Sequence, residues 1–178
     1  DSLSPNASCI LYVGTANVGS NSSTLNKTNT QITSSEVADG TYSWNVTCTD
    51  LAGNTLGSTA RTITIDAAPP AVNAESPASN AWTSDTTPDF VFNTSDRFSN
   101  RLNCTLWVDG SDKANNATTM NNTQTTLTPA VALSEASHSW TINCTDNVSN
   151  TNYSTARTLY IDNTAPTIAL PLYTNATF

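Results

Sequence analysis

Apolar and polar residues alternate along several short stretches of this chain. At residues 42–48 the apolar side chains occupy every second position, and residues 138–144 alternate in the same way. Two more alternating sets lie at residues 9–13 and 104–108. Because successive side chains of a β-strand point to opposite faces, a period of two predicts half-buried strands. No stretch shows the spacing of three and four residues that an amphipathic helix requires.

The same pattern predicts further strands, which turn-forming pairs such as Asp39-Gly40 and Asp109-Gly110 separate from one another. In the first part of the chain they lie at residues 31–37 and 58–65, and in the second part at residues 70–75, 88–94, 124–133 and 154–161.

The pattern also repeats over a long distance. Residues 41–72 return, slightly altered, at residues 137–168, so that Trp44 corresponds to Trp140 and Cys48 to Cys144. Self-similarity at a fixed long period is typical of a tandem array of one small domain. The 178 residues of the chain suit two such domains.

The first copy lacks the opening part of the repeat. The stretch from Asp1 to Cys9 has the same length as that from Asp96 to Cys104, and residues 69–95 have no counterpart ahead of Asp1. We therefore expect an incomplete domain at residues 1–66 and a complete domain at residues 67–162. Residues 163–178 then form a C-terminal strand, which is either a donor strand or the start of a third copy. Because the chain begins with Asp instead of Met, it is expected to be a mature product or a fragment.

Four cysteines occur as one equivalent pair in each copy. The equal spacing favours the disulfides Cys9–Cys48 and Cys104–Cys144 over the other two possible connectivities. Disulfides persist in oxidising compartments, so this pairing predicts an extracellular or cell-surface location. A zinc site is the alternative, but the cysteines lack the short CxxC spacing that zinc sites use.

About seven short strands per repeat, with one inward Trp beside a Cys pair, are typical of an immunoglobulin-like sandwich. The run from Gly40 to Asn54, followed by residues 60–66 and a proline pair, resembles the Ig-like repeats of bacterial and archaeal surface proteins. The resemblance extends over essentially the whole chain. It implies an all-β fold of two tandem immunoglobulin-like β-sandwiches, in a protein that serves as a spacer, an adhesin or a filament subunit. Unlike in antibodies, each disulfide would link neighbouring strands of one sheet.

The surface is expected to be polar with little charge. Charged residues make up 11% of the chain, the net charge is −8, and Lys and Arg total 6. Nucleic acids and anionic membrane surfaces are therefore poor candidate partners. No apolar run is long enough to span a membrane, and no signal-like segment is present at the N-terminus.

Asn-x-Ser/Thr sequons are about twice as frequent as composition alone would give. They predict a coat of N-glycans, although a polar strand face in which Asn and Thr simply accompany each other is the alternative. The strand alternation predicts that Asn45, Asn103 and Asn143 point to solvent. The twelve sequon residues are Asn6, Asn21, Asn26, Asn45, Asn93, Asn103, Asn116, Asn121, Asn143, Asn147, Asn152 and Asn175.

No residue pattern predicts catalysis or a cofactor. His138 occupies the position of Tyr42 on an inward face, which favours a structural histidine. Asp50 and Asp146 open the same turn in both copies, and Asp66 and Asp162 close the same strand. Turn formation is favoured for these carboxylates over the alternative of calcium bound between modules, and no metal is predicted. Glu36, Glu75 and Glu135 lie in no recognisable motif. Trp44 and Trp140 are expected in the core, and Trp82 and Trp107 are candidates for burial in an interface.

Two functions fit these observations. The leading hypothesis is a glycan-coated extracellular filament, in which copies of the chain assemble head to tail when the tail of one inserts as a strand into the first domain of the next. A difficulty is that the tail matches the repeat only up to Trp82, so residues 83–95 have no supplied equivalent. The alternative is a segment of a longer cell-surface stalk or adhesin. A carbohydrate-active enzyme is disfavoured because no paired carboxylates lie in a motif.

Overall fold

A computed structural model describes residues 4–169 of the chain. The described residues form strands and turns without a helix, so this part of the chain has no helix that could cross a membrane. They group into two compact units, which divide between Ala68 and Pro69 and are called unit 1 and unit 2.

Unit 1 is one antiparallel sheet of five strands. The strands are β1 (Asn6–Val13), β2 (Ala16–Leu25), β3 (Gly40–Asp50), β4 (Thr55–Gly57) and β5 (Arg61–Ile65). Their order is β2-β1-β3-β4, and β5 pairs with the first half of β3. Strand β3 alternates as the sequence predicts, with Trp44, Val46 and Cys48 on one face. Within the described residues, no second sheet covers that face.

Unit 2 is a sandwich of two sheets. Its strands are β6 (Ala71–Ser76), β7 (Ala81–Thr83), β8 (Phe90–Ser95), β9 (Arg101–Val108), β10 (Ser111–Met120), β11 (Thr125–Leu127), β12 (Ala136–Thr145), β13 (Thr151–Tyr153) and β14 (Arg157–Ile161). The large sheet has the order β10-β9-β12-β14-β7, with β13 paired to β12, and the small sheet has the order β11-β8-β6.

The core of unit 2 lies between these two sheets. Phe90 and Phe92 of the small sheet are fully buried, and the rings of Phe90 and Trp140 of the large sheet form a T-shaped pair with 4.8 Å between centroids. The inward residues of the large sheet are equally excluded from water, namely Leu102, Cys104, Leu106, Val108, Trp140, Ile142, Cys144, Leu159 and Ile161.

Both predicted disulfides form. Cys9 lies directly opposite Cys48 on β1 and β3, with 4.0 Å between their Cα atoms. Cys104 lies opposite Cys144 on β9 and β12, with 4.2 Å between their Cα atoms. Each bond therefore joins neighbouring strands of one sheet, as the order of the strands predicted.

Three of the predicted strands differ from the structure. The strand predicted at residues 31–37 is wrong, because residues 29–38 form no regular structure. Its counterpart at residues 124–133 is a strand only over β11, and β11 pairs with β8. Since unit 1 has no equivalent of β8 among its described residues, the matching segment has no strand to pair with. In the C-terminal segment, residues 163–169 form no strand, and residues 170–178 lie outside the described part.

Strands β2 and β10 were not predicted from the sequence. They consist largely of Asn, Ser, Thr and small residues, which give neither strong β-propensity nor a clear apolar alternation. Each pairs along its length with the strand before it, β1 or β9, and forms an edge of its sheet. Tertiary pairing therefore determines these strands.

His138 is buried at the start of β12, where it joins two loops to the core. Its Nδ1 lies 2.6 Å from Oδ2 of Asp109 in the β9–β10 turn, and its Nε2 lies 2.9 Å from the carbonyl oxygen of Ser134. Burial lowers the pKa of His138, but the hydrogen bonds to Ser134 and Asp109 outweigh this effect, so the pKa is raised overall. Burial raises the pKa of Asp109, but the hydrogen bonds from His138 and the Ser139 amide outweigh this effect, so the pKa is lowered overall.

Matched core substitutions test the difference between the two units. Leu106 of unit 2 is fully buried, and Leu11, its counterpart in unit 1, is half-buried. We expect Leu106→Ala to lower the free energy of unfolding of unit 2 by about 2–5 kcal/mol. Leu11→Ala should cost unit 1 less than half as much, because Leu11 already contacts water. Urea denaturation monitored by hydrogen exchange in each unit measures both, and equal losses would contradict a covered core in unit 2 alone.

The stability of unit 2 should fall as the pH rises from about 6.5 through the raised pKa of His138. A histidine whose folded pKa is raised contributes stability below its unfolded value of about 6.5 and loses it as the pH rises through the folded value. The lowered pKa of Asp109 matters only in acid, because the stability that this carboxylate contributes is lost as the pH falls through its folded pKa. Melting temperatures across this pH range measure the effect. In the control His138→Tyr, which introduces the residue found at position 42, the slope should vanish, and a flat profile for the unchanged chain would refute the assignment.

Candidate functional site

The inner face of the unit 1 sheet is open. Strands β1, β3 and β5 place apolar side chains along a groove of about 590 Å³, which Ile32 and Val37 border on one side. None of the apolar residues on the floor of this groove is fully buried, and Ile63 is 41% exposed. The floor consists of Leu11, Val13, Trp44, Val46, Ile63 and Ile65.

The repeat places an equivalent of every one of these residues in unit 2. There each is at most 3% exposed, because the small sheet lies over the large one. The equivalents are Leu106, Val108, Trp140, Ile142, Leu159 and Ile161. An uncovered apolar surface of this size in a folded domain marks an interaction surface. The groove is therefore the candidate functional site of the chain.

A second groove of about 430 Å³ lies at the other end of the same sheet. Leu25, Leu56 and the Cys9–Cys48 disulfide contribute its apolar lining. Leu25 and Leu56 are 57% and 80% exposed. The open face therefore extends along the length of the unit 1 sheet.

An arginine attaches the small sheet of unit 2 to the large one. The guanidinium of Arg157 lies 5.8 Å from the ring centroid of Trp140 and donates hydrogen bonds to the carbonyl oxygens of Ala74, Glu75 and Pro77. These three carbonyls belong to β6 and the residues that follow it. Arg157 lies in the sequence Ser-Thr-Ala-Arg, which occurs in both copies of the repeat. This repetition marks the position, but no sequence pattern indicates that the partner of Arg157 is a strand.

The aspartates that open the repeated turn serve the same structural role in both units. Oδ1 of Asp50 accepts hydrogen bonds from the amides of Ala52 and Asn54, and Oδ2 accepts one from the Asn54 side chain. Asp146 makes the same three contacts with Val148 and Asn150. The side-chain and backbone hydrogen bonds from Asn54 lower the pKa of Asp50. The structure therefore places both residues as turn formers, as the sequence predicted.

The remaining acidic residues are dispersed or hold loops. Oε2 of Glu75 accepts a hydrogen bond from Gln124, and Glu135 accepts hydrogen bonds from the amide of Asn163 and from Thr164. Within unit 2, carboxylate oxygens of Asp96 and Asp146 lie within 4.8 Å of each other. Oxygens of both residues accept loop amides, and calcium takes six to eight oxygen ligands, so this pair carries no metal assignment.

His138 is not arranged for catalysis. Both of its ring nitrogens already have partners, Asp109 and the Ser134 carbonyl, so neither is available to a substrate. In unit 1 the hydroxyl of Tyr42 donates to the carbonyl of Ala38, which matches the contact of His138 with Ser134. The residue at this position therefore ties a loop to the sheet in both units.

The sequon residues differ in how much room they leave for a glycan. Asn103 and Asn147 are exposed, and the other described sequon residues, including Asn45 and Asn143, are half-buried. Nδ2 of Asn121 donates to the Asp96 carbonyl at 2.6 Å, and Nδ2 of Asn152 donates to the Pro70 carbonyl at 2.9 Å. Asn175 lies outside the described residues. Asn103 and Asn147 therefore fit a glycan best.

The two tryptophans predicted for interfaces lie outside the core. Trp82 is 69% exposed, and its ring stacks on Tyr160 with 4.5 Å between centroids. Trp107 is half-buried, and its Nε1 is buried without a partner among the described residues. Trp140 is in the core as predicted, whereas Trp44 lies on the floor of the open groove.

Comparisons with known proteins agree with this architecture. Residues 4–67 and 71–163 each match the family described as bacterial Ig-like domain. No curated protein matches the chain.

Several solved structures resemble the chain at low identity. The fibronectin(III)-like modules of Clostridium thermocellum CbhA are 15% identical, with 90% of this chain and 80% of that one covered and a TM-score of 0.44. The BSP domain of a biofilm associated protein is 16% identical, with coverages of 92% and 26% and a TM-score of 0.39. Bacteroides ovatus SGBP-B, solved with a mixed-linkage heptasaccharide, is 15% identical, with coverages of 86% and 39% and a TM-score of 0.29. The two family matches span most of the sequence, and the chain belongs to the bacterial Ig-like domain family.

Proposed function

We propose that this chain is a structural segment of an extracellular cell-surface stalk or adhesin. The observation that supports the proposal is the repetition of one Ig-like domain along the chain, with a cross-strand disulfide in each copy. The polar clusters described above hold turns and loops, and domains of this family are generally structural. The chain therefore contributes length and a folded surface instead of a reaction.

The family and the disulfides together suggest an extracellular location. In a protein outside the cell, the low content of charge and the many sequons suit a coat of N-glycans, of which Asn103 and Asn147 are the best-placed acceptors. Hydrated sugars on the outer face of a sheet would block pairing between sheet edges and hinder proteases.

The open groove of unit 1 favours a second candidate, a head-to-tail filament of identical chains. In that case strands from a neighbouring chain would cover the groove. Residues 163–178 correspond by the repeat to residues 67–82, so they align with all of β6 and with the first two residues of β7. They contain no equivalent of β8, which is the central strand of the small sheet and the only one of its strands that pairs with both others. The stalk is therefore the stronger candidate.

A stalk domain with a cross-strand disulfide should resist extension. The bond between Cys104 and Cys144 closes a loop over a sequence separation of 40 residues, which cannot extend while the bond is intact. Reduction should therefore lengthen the unfolding step of unit 2 by about 140 Å in single-molecule stretching, at about 3.5 Å per residue over those 40 residues. The double substitution of both cysteines by serine is the control, which should show the long step without reductant. Equal steps with and without reductant would contradict a mechanical role for the bond.

Removal of residues 163–178 separates the two candidate functions. A stalk segment should keep its sedimentation behaviour and the folding of unit 2, because no assembly depends on the removed residues. A filament subunit should lose its polymers while unit 2 remains folded. The mass of the natural polypeptide after deglycosylation is an independent measurement. A value far above 18.8 kDa is expected for a stalk, and a value near it would support the filament.

A further inference from the structure

The open face of unit 1 matches a face that is covered in unit 2, so the structure also shows what kind of cover fits. In unit 2 the cover is the small sheet, whose inward residues Ala74, Phe90, Phe92 and Leu127 are at most 5% exposed. Its order β11-β8-β6 places β8 in the middle, where it pairs with both neighbours. A cover for unit 1 must therefore supply equivalents of β6 and β8 together, since either strand alone would leave the small sheet incomplete.

Unit 1 contains a counterpart of the arginine that holds β6 in unit 2. Arg61 is the counterpart of Arg157 and lies 6.0 Å from the ring centroid of Trp44, as Arg157 lies over Trp140. In unit 2 this guanidinium donates to three carbonyls at and just after β6. Arg61 is exposed, and no carbonyl of the described residues accepts a hydrogen bond from it. Its position fits the incoming strand that Arg157 binds in unit 2.

Unit 1 also contains a counterpart of the turn that forms hydrogen bonds with the end of β8 in unit 2. In unit 2 the side chain of Asn121 bonds the backbone of Asp96, and the amide of Asn122 donates to the carbonyl of Thr94. Asn26 and Lys27 occupy these positions in unit 1, and Lys27 has φ +59° where Asn122 has φ +54°. The neighbouring backbone contact is also kept.

That contact joins the turn to the chain that follows β8. The amide of Asn26 donates to the carbonyl of Pro5 at 3.0 Å, as the amide of Asn121 donates to the carbonyl of Asn100 at 3.1 Å. The repeat aligns Asp1 with Asp96, which directly follows Ser95 at the end of β8. The turn therefore fits a strand that runs straight into the first residue of unit 1.

We propose that the open face of unit 1 is the docking site of a three-stranded segment of the type formed by residues 69–95, joined in the same polypeptide directly ahead of Asp1. In unit 2 the first and third strands of this segment, β6 and β8, belong to the small sheet, and β7 pairs with the edge of the large sheet. Its two inward aromatic side chains, at the positions of Phe90 and Phe92, would pack on Trp44 and its neighbours. Its equivalent of β6 would bind Arg61, and its equivalent of β8 would pair with residues 30–32. These residues correspond to β11, and their Ile32 already borders the groove. This inference rests on the proposed stalk, because in the filament the strands of a neighbouring chain would cover the same face.

The test extends the full chain by a copy of residues 69–95 placed directly before residue 1. Hydrogen exchange at residues 30–32 should slow by at least about tenfold, because these amides gain a strand partner. Binding of the dye ANS, which reports exposed apolar surface, should fall at the same time. Unchanged exchange and unchanged dye binding would overturn the proposal.

Matched variants separate specific docking from the mere addition of chain. An extension in which the copies of Phe90 and Phe92 are both serine should leave exchange and dye binding as they are in the unextended chain. Arg61→Met in the extended chain should remove much of the protection, and should have little effect on the unextended chain. Full protection with the serine extension would overturn the proposal.

Two further outcomes concern the source of the cover. If the unextended chain already protects residues 30–32 in a concentration-dependent manner, a second copy covers the face, and the proposed source in the same polypeptide is wrong. If the extended chain aggregates, a synthetic peptide of residues 69–95 is added to the unextended chain. Saturable protection of residues 30–32 by this peptide supports the proposal, and no protection at any soluble concentration overturns it.

Discussion

The sheet of unit 1 and the large sheet of unit 2 carry equivalent apolar residues on their inner faces. The two units differ in whether a second sheet lies over that face. In unit 2 the small sheet excludes Trp140, Ile142 and their neighbours from water. In unit 1 the equivalents Trp44 and Val46 border a groove. Burial contributes about 25 cal/mol for each Å² of apolar surface removed from water, so this cover affects the largest favourable contribution to folding. The hydrogen bonds of Arg157 help to hold this cover in place.

Several contacts that are local or lie within one sheet recur in both units. The disulfides Cys9–Cys48 and Cys104–Cys144 join the same pair of strands, and Asp50 and Asp146 close the same turn. These contacts need only residues of the large sheet and its connections, and so they form without the small sheet. The segment at residues 30–32 differs from β11 because its pairing requires a strand from outside the large sheet. Residues 30–32 therefore form no strand in unit 1, because the strand with which they would pair is missing from its described residues.

The polar side chains named above hold the turns, loops and strands of the chain itself. His138 bonds to a turn and a loop, Arg157 bonds to the carbonyls of a strand, and the repeated aspartates accept loop amides. Such groups position one element against another, and in doing so they use the donors and acceptors that a reaction centre would require. The open apolar face of unit 1 is therefore the candidate interaction surface among the described residues.

The sequence by itself determined the all-β class, the repeat, the inward positions of Cys104 and Trp140, and the pairing of the cysteines. These follow from the alternation of side chains along a strand and from spacing, which are properties of the chain alone. The sequence pattern did not predict the polar edge strand β10, which forms through its pairing with β9. The pattern also predicted a strand at residues 31–37, where the partner strand is missing and no strand forms. The hydrogen bonds of Arg157 to three carbonyls likewise depend on a strand some 80 residues away in the chain. Tertiary structure decided these features, because a hydrogen bond between strands requires both strands, whereas alternation requires only one.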